Sequence, residues 1–212
     1  MDRNLGATNT TPGTVEALGL MYQWGRKDPF MGSSSINSVV EAKSTISFPT
    51  PVVTSATVGT VEWATENPTT LIMGGNSNKW MYVQDKTLWA TTKTVYDPCP
   101  AGWKIPEAGE NGVWCKAAGG IRINADLFDD VNRGVNLSGH VGSDETIWYP
   151  ATGYYGKTNG VFYGVGQNAS YHSCTLDSYG HLCFVINSND TYLYLLNLTD
   201  FGGAAPVRCI KE

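Results

Sequence analysis

Charged side chains are scarce in this chain: Asp, Glu, Lys and Arg make up 16% of its 212 residues, against about 25% in an average soluble protein. Lys and Arg number only 14 against 19 Asp and Glu, for a net charge of −5. Nucleic-acid affinity comes largely from basic side chains that neutralise phosphates, and the sequence has no basic stripe, so nucleic acid is set aside as a partner. Long apolar runs are missing too. Nothing approaches the roughly 20 consecutive apolar residues that cross a bilayer, so no transmembrane segment is expected, and Met1-Asp2-Arg3-Asn4 does not read as a signal peptide. For an exported protein, the export signal or lipid anchor is then expected upstream of residue 1. The five cysteines, Cys99, Cys115, Cys174, Cys183 and Cys209, form no CxxC pair and have no zinc-type spacing to histidine, so neither a metal nor a cofactor is expected. Their odd number leaves the redox compartment open.

Glycine, tyrosine and tryptophan are abundant, at 24, 11 and 7 residues, a profile that suits a turn-rich, β-containing extracellular protein. A chain of this length makes one domain that buries about 70% of its unfolded surface. Thr14 to Leu20 reads as one or two helical turns cut short by Gly19. Met21 to Phe30 reads as a strand running into a proline turn. Residues 31 to 92, rich in Ser, Thr, Asn, Val and Pro, read as an insertion with short strands or extended loops at Pro51 to Thr54 and Thr57 to Val61. Trp63, Trp80 and Trp89 either clip that insertion to the core or bind sugar, burial being the commoner use of an aromatic. Pro106-Glu107 marks a helix start, with Val113, Trp114 and Ala117 as its apolar face, and Asn124 caps a second stub. Strands are expected at Ile147 to Ala151, Val161 to Val165, Leu182 to Ile186, Tyr192 to Leu198 and Pro206 to Ile210. The fold class is therefore α+β, with early short helices and a late antiparallel sheet.

Two phrases carry a resemblance: Asp97-Pro98-Cys99-Pro100-Ala101-Gly102-Trp103-Lys104-Ile105-Pro106, and Ala205-Pro206-Val207-Arg208-Cys209-Ile210-Lys211. With Asp2 to Thr8 and Tyr22-Gln23-Trp24-Gly25-Arg26-Lys27-Asp28-Pro29, they resemble the Fibrobacter succinogenes major paralogous domain. The resemblance implies a single C-type-lectin-like domain over residues 1 to 212, as in surface lipoproteins and fimbrial tip subunits. It also implies that Cys99 and Cys209 lie together as a disulfide, the alternative being two separate buried thiols. A narrower stretch, Trp148-Tyr149-Pro150-Ala151-Thr152-Gly153-Tyr154 with the closing Pro206-Val207-Arg208-Cys209, is similar to the variable proteins of diversity-generating retroelements. In those systems Asn- and Tyr-type codons are mutagenised and their side chains form the ligand face. This chain departs from them at His172, where many relatives have Trp, and at Cys174 and Cys183, where small or polar residues are usual; diversification and ordinary drift both fit.

The expected function is a cell-surface adhesion module that holds a protein or glycan ligand on another cell, a phage or a host surface. The expected site is a Tyr/Asn-rich face from about residue 150 to 210: Tyr154, Tyr155, Asn168, Ser170, Tyr171, His172, Asp177, Tyr179, His181, Asn187, Asn189, Asp190, Tyr192, Tyr194, Asn197 and Asp200. Tyr and Asn make adaptable contacts at low entropic cost, and strand alternation would place Tyr192, Tyr194 and Leu196 on one face and Leu193, Leu195 and Asn197 on the other. Half-buried sheet tyrosines are the competing reading. Calcium-dependent sugar binding has only the Asn189-Asp190 pair in its favour, which also reads as an exposed turn. A structural fimbrial tip subunit is the alternative function. A formylglycine-type oxidase or a hydrolase would have to rest on Cys174 and Cys183, which free or disulfide-bonded surface thiols explain as well, on the acid pairs Asp129-Asp130 and Asp144-Glu145, or on Ser173 beside His172. None of these forms a recognisable motif, so no catalysis is expected.

Overall fold

The computed structural model describes residues 1–36, 52–54, 58–74, 78–81, 85–137 and 147–212. In chain order these form a 3-10 turn at Val15–Ala17, β1 (Met21–Gln23), β2 (Val52–Thr54), α1 (Val61–Glu66), β3 (Leu71–Met73), β4 (Trp103–Lys104), α2 (Val113–Ala118) and β5 (Arg122–Asn124). A 3-10 turn at Ala125–Leu127 follows, then β6 (Phe128–Asp129), β7 (Gly134–Asn136), β8 (Trp148–Pro150), β9 (Thr152–Tyr155), β10 (Phe162–Val165), β11 (Asn168–Leu176), β12 (His181–Asn187), β13 (Tyr192–Thr199), β14 (Ala204–Pro206) and β15 (Ile210–Lys211). The architecture is α+β, built mostly from small sheets with few helices. No helix among the described residues is long and apolar enough to cross a membrane.

Two four-stranded antiparallel sheets organise the molecule, one in the order β1-β14-β9-β10 and the other β11-β12-β13-β5. The first ties the two ends of the chain together, with Met21 opposite Pro206 and Gln23 opposite Ala204. The second carries the longest strands, and one of its faces lies on a core of Trp114, Val135, Tyr149, Tyr171, Phe184, Leu193 and Leu195. The closing segment is two strands rather than the single one expected over Pro206 to Ile210: β14 joins the first sheet, and β15 leaves it to pair with β4.

The Gln23-Trp24-Gly25-Arg26 phrase is the hub of the other large core. Trp24 lies 4.8 Å edge-on from Phe201 and 5.6 Å from Trp89. Its indole nitrogen donates to the Ser173 carbonyl, and its own carbonyl accepts from Trp80. Trp80 and Trp89 are both buried and Trp63 is partly buried against the same cluster, so all three anchor the 31–92 stretch as clips. Gln23 also reaches into that stretch, donating to the Ile72 carbonyl and accepting from its amide. Gly25 sits at φ +84°, where a Cβ would come within 2.8 Å of Leu88. The expected strand at Thr57 to Val61 is not formed by its described part: Thr60 caps α1 by accepting from the Trp63 amide, and Val61 starts that helix.

Arg26 is buried and forms no salt bridge among the described residues. Its guanidinium donates instead to the carbonyls of Thr70 at 2.7 Å and Asn67 at 3.1 Å and to Oε1 of Gln23 at 2.8 Å, and burial pulls its pKa down to about 10. Arg26→Ala strands these acceptors without water, so a loss of about 2 kcal/mol is expected in urea unfolding, against a near-neutral effect if the carbonyls rehydrate.

The Asp97 to Pro106 phrase folds around one carboxylate. Asp97 Oδ1 accepts from the Cys99 amide and from Lys93 Nζ, and Oδ2 accepts from the Ile105 amide. Cys99 is thereby held against Cys209, and the two form a disulfide that closes 110 residues of sequence. The helix expected from Pro106 begins only at Val113. The Pro106 carbonyl is committed to the Cys174 amide, and both backbone groups of Ala108 are committed to the Thr175 hydroxyl, so this segment serves as an edge partner of β11. Asn124 does cap the second stub, accepting from the Asp126 amide.

Candidate functional site

The sheet β11-β12-β13-β5 places a continuous row of side chains across all four strands. Ser170 is opposite Val185, Val185 opposite Tyr194, and Tyr194 opposite Arg122. One step along, Asn168 faces Asn187, and Tyr192 faces Asn124. Period-2 alternation puts these residues on the side away from the Leu193 and Leu195 core. Burial agrees: Leu193 and Leu195 are fully buried, while Tyr192 and Tyr194 are 37% and 40% exposed. The Arg122 guanidinium lies over the Tyr192 ring at 4.3 Å and steadies it from the edge strand.

A bulge corrects the expected phase of β13. Between the pairs Cys183–Asn197 and Val185–Tyr194, two steps on β12 are matched by three on β13. The alternation slips there, so Asn197 leaves the Leu193 and Leu195 side and joins Tyr194 on the outward face.

A second wall rises from the β9–β10 hairpin, where Tyr154 pairs with Tyr163 and their rings lie 6.1 Å apart. The hairpin loop contributes Lys157, which is ion-paired with Asp200, and Asn159, which donates to the Tyr163 hydroxyl. Between this hairpin and β11–β13 lies a cleft of about 440 Å³, with Asn168, Ser170, Asn187, Asn197, Tyr154 and Asp200 along its walls. It brings together eight of the sixteen expected residues once buried Tyr155 and His172 at its floor are included.

Four of the sixteen are corrected from ligand contacts to scaffold. Tyr155 is buried edge-on against Phe162, with its hydroxyl bound to the Met31 carbonyl. Tyr171 points into the core; its hydroxyl donates to the Pro150 carbonyl and accepts from Asn4, and Asn4 in turn receives two hydrogen bonds from Arg208. His172 has the parity of Ser170, but that end of the sheet lies under Trp24, Trp89 and Phe201. Its Nε2 must carry the proton, because the Tyr22 carbonyl 3.0 Å away can only accept. Nδ1 of His172 therefore accepts from Nε2 of buried His181 at 2.6 Å, and His181 Nδ1 is left without a partner. Both rings are neutral: burial pulls the pKa of His172 down to about 4, and burial with the neighbouring imidazole pulls that of His181 well below its ordinary value.

The remaining expected residues sit at the ends of the sheet. Asp177 and exposed Tyr179 occupy the β11–β12 turn, and Asn189 and Asp190 the β12–β13 turn at the opposite end. Asn187 Oδ1 accepts from the Asn189 amide, which makes Asn187 to Asp190 an Asx-type turn. Among the described residues, no three His, Cys, Asp or Glu side chains converge.

The chemistry considered for an enzyme is dispersed. Cys115, Cys174 and Cys183 are free but buried, which corrects the surface-thiol reading of Cys174 and Cys183, and burial pushes the thiols of those two up to about 11 and about 12. Ser173 donates to the Leu182 carbonyl. Asp129 is committed to the Val131 and Asn132 amides, hydrogen bonds that hold its carboxyl below the ordinary range, while Asp130 faces Arg133. Asp144 and Glu145 lie outside the described residues. Lys157, Asn159, Tyr163, Val185 and Arg122 were not anticipated from sequence. The turn chemistry of Lys157-Thr158-Asn159-Gly160 between two aromatic runs was the signal that would have found the first three. In comparisons with known proteins, no protein-family model, curated protein or solved structure matches this chain.

Proposed function

We propose that the chain is a C-type-lectin-like binding module at the extracellular or outer-membrane surface. In this reading it holds a protein or glycan ligand on another cell, phage or host surface, and performs no catalysis. One observation carries the reading: the outward row Ser170, Val185, Tyr194 and Arg122 runs unbroken into the cleft, and it rests on a sheet whose other face is packed core. Side chains on such a row can vary while the scaffold stays fixed. That separation is what a face diversified by a retroelement requires, and in this reading Asn168, Asn187, Tyr192, Tyr194 and Asn197 form the variable set. The pairing of β1 with β14 and the Cys99–Cys209 closure support the lectin-like plan, and the disulfide favours an oxidising compartment.

The test is binding of the labelled protein to a panel of bacterial and host cells. Ser170→Arg and Tyr194→Ala are expected to weaken saturable binding at least about tenfold, as for a truncated aromatic at the centre of an interface. Thermal stability should stay near wild type, since neither side chain enters the core. Undiminished binding by both variants would refute the face; a large fall in melting temperature for Tyr194→Ala would make it scaffold. For diversification, the deciding observation is a reverse-transcriptase gene beside an imperfect repeat of the codons for residues 150 to 210, mismatched mainly at adenines.

A further inference from the structure

We infer that the cleft between the β9–β10 hairpin and β11–β13 takes an uncharged, hydroxyl-rich oligosaccharide end; this rests on the binding reading above and names its ligand class. Charge gives the first argument. Among the described residues, the only ionised side chains on the cleft walls, Lys157 and Asp200, are paired with each other, so these walls offer no free charge to an ionic ligand. An anionic sugar would meet the Asp200 carboxylate and find Lys157 already engaged.

Uncommitted hydrogen-bonding groups give the second. Among the described residues, the Asn168 carboxamide and the hydroxyls of Ser170 and Tyr154 make no hydrogen bond to the protein, although all three line the cleft. Asn187 and Asn197 commit only Oδ1, to the amides of Asn189 and Leu198, and keep Nδ2 free. A carboxamide presents donor and acceptor side by side, and a hydroxyl is both at once, so these walls match ligand groups that also donate and accept. Sugar hydroxyls on adjacent carbons are such groups. A peptide presents such paired groups along its backbone and at its polar side chains, but not on adjacent atoms as sugar hydroxyls do.

Shape gives the third. Tyr154 and Tyr163 stand side by side on one wall, where a ring face can stack on the C–H face of a pyranose. The volume of about 440 Å³ falls within the roughly 300–1,000 Å³ of small-ligand sites, whereas a stable protein partner needs about 800 Å² of its own surface covered.

The experiment is a printed array of neutral hexose and N-acetylhexosamine oligosaccharides with their sialylated and sulfated counterparts, read alongside the cell panel. The expected result is saturable retention on a subset of neutral glycans and at least tenfold weaker retention of the acidic counterparts. Asn168→Ala and Asn187→Ala should each lose at least tenfold in affinity for the retained glycan, Asn168→Ala at unchanged melting temperature and Asn187→Ala with the small fall that losing its turn hydrogen bond to the Asn189 amide brings. Val131→Ala, at an exposed position of the β6–β7 turn, should bind as wild type. Equal or stronger retention of the acidic glycans overturns the inference, as does undiminished binding by both Asn variants. If no glycan is retained while cell binding persists and is destroyed by protease treatment of the cells, the ligand is a protein: the inference falls and the adhesion reading stands. If neither glycans nor cells are bound, both fall.

Discussion

Replacing Cys99 and Cys209 together with serine is expected to cost about 4–5 kcal/mol, the chain-entropy value for freeing a loop of this length, and less where the unfolded chain stays compact. Entropy alone understates what the bond organises. Cys99 is locked on one side by the Asp97 carboxylate, while Cys209 sits between β14 in the first sheet and β15 on β4. Opening the bond therefore frees the mid-chain phrase from the closing strands, and with it the Leu5 amide to Val207 carbonyl bond that ties in the first residues. The measurement is urea unfolding of wild type with and without reductant, compared with the double serine variant. A shift of under about 1 kcal/mol would mean the packed tryptophans hold these segments unaided. β14 does reach the cleft, through Ala204 and Ala205, but the polar wall residues stand mainly on β9, β11, β12 and β13, so folded protein that keeps β14 on β9 should bind as before.

The two halves of this molecule were unequally legible. Strands β8, β10, β12 and β13 announce themselves because Trp, Phe, Tyr, Val, Ile and Leu concentrate between glycine or asparagine turns. The longest strand, β11, does not. Asn168-Ala169-Ser170-Tyr171-His172-Ser173-Cys174 is dominated by small and polar residues and has no β-branched residue before Thr175, so its strand character comes from its neighbours rather than from propensity. Pro106-Glu107 failed in the opposite sense: the helix signal was present, but the backbone there found partners on β11. The site showed the same split. Alternation placed Tyr192 and Tyr194 outward, and the structure has them so, but alternation is blind to what lies over a face. Ser170 and His172 share parity; Ser170 stands on the cleft wall, whereas His172 is buried at the cleft floor under Trp24 and Trp89, because the core around Trp24 covers the sheet from His172 onward. The bulge that moves Asn197 outward has no sequence signature in Leu195-Leu196-Asn197, since it is a register event between two strands.

That covered end of the sheet predicts how the protein responds to acid. His172 and His181 are neutral and buried in the folded state, whereas in the unfolded chain each takes up a proton near its ordinary value of 6.5. Between that value and about 4 the unfolded state binds more protons, so stability must fall as pH falls. Above 6.5 the contribution is fully present; His172 alone stands to lose about 3 kcal/mol across the window, at about 1.4 kcal/mol per pKa unit, and His181 adds to it. Carboxylates begin to protonate only at the lower edge of this range, so a decline that starts near pH 6 belongs to the imidazoles. The tautomers sharpen the point: a proton taken up by either ring would turn the His172 Nδ1 to His181 Nε2 contact from donor-and-acceptor into donor-against-donor, or place a cation beside the Phe201 and Trp24 rings with no counter-charge. Urea midpoints should therefore hold level from pH 7.5 to about 6.5 and decline below it, while the two imidazole NMR signals of the folded protein stay in the neutral form down to about pH 5. Imidazole signals that titrate near 6.5 in the folded protein, or a midpoint flat across the range, would show that these rings reach water, and the core over that half of the sheet would then be open.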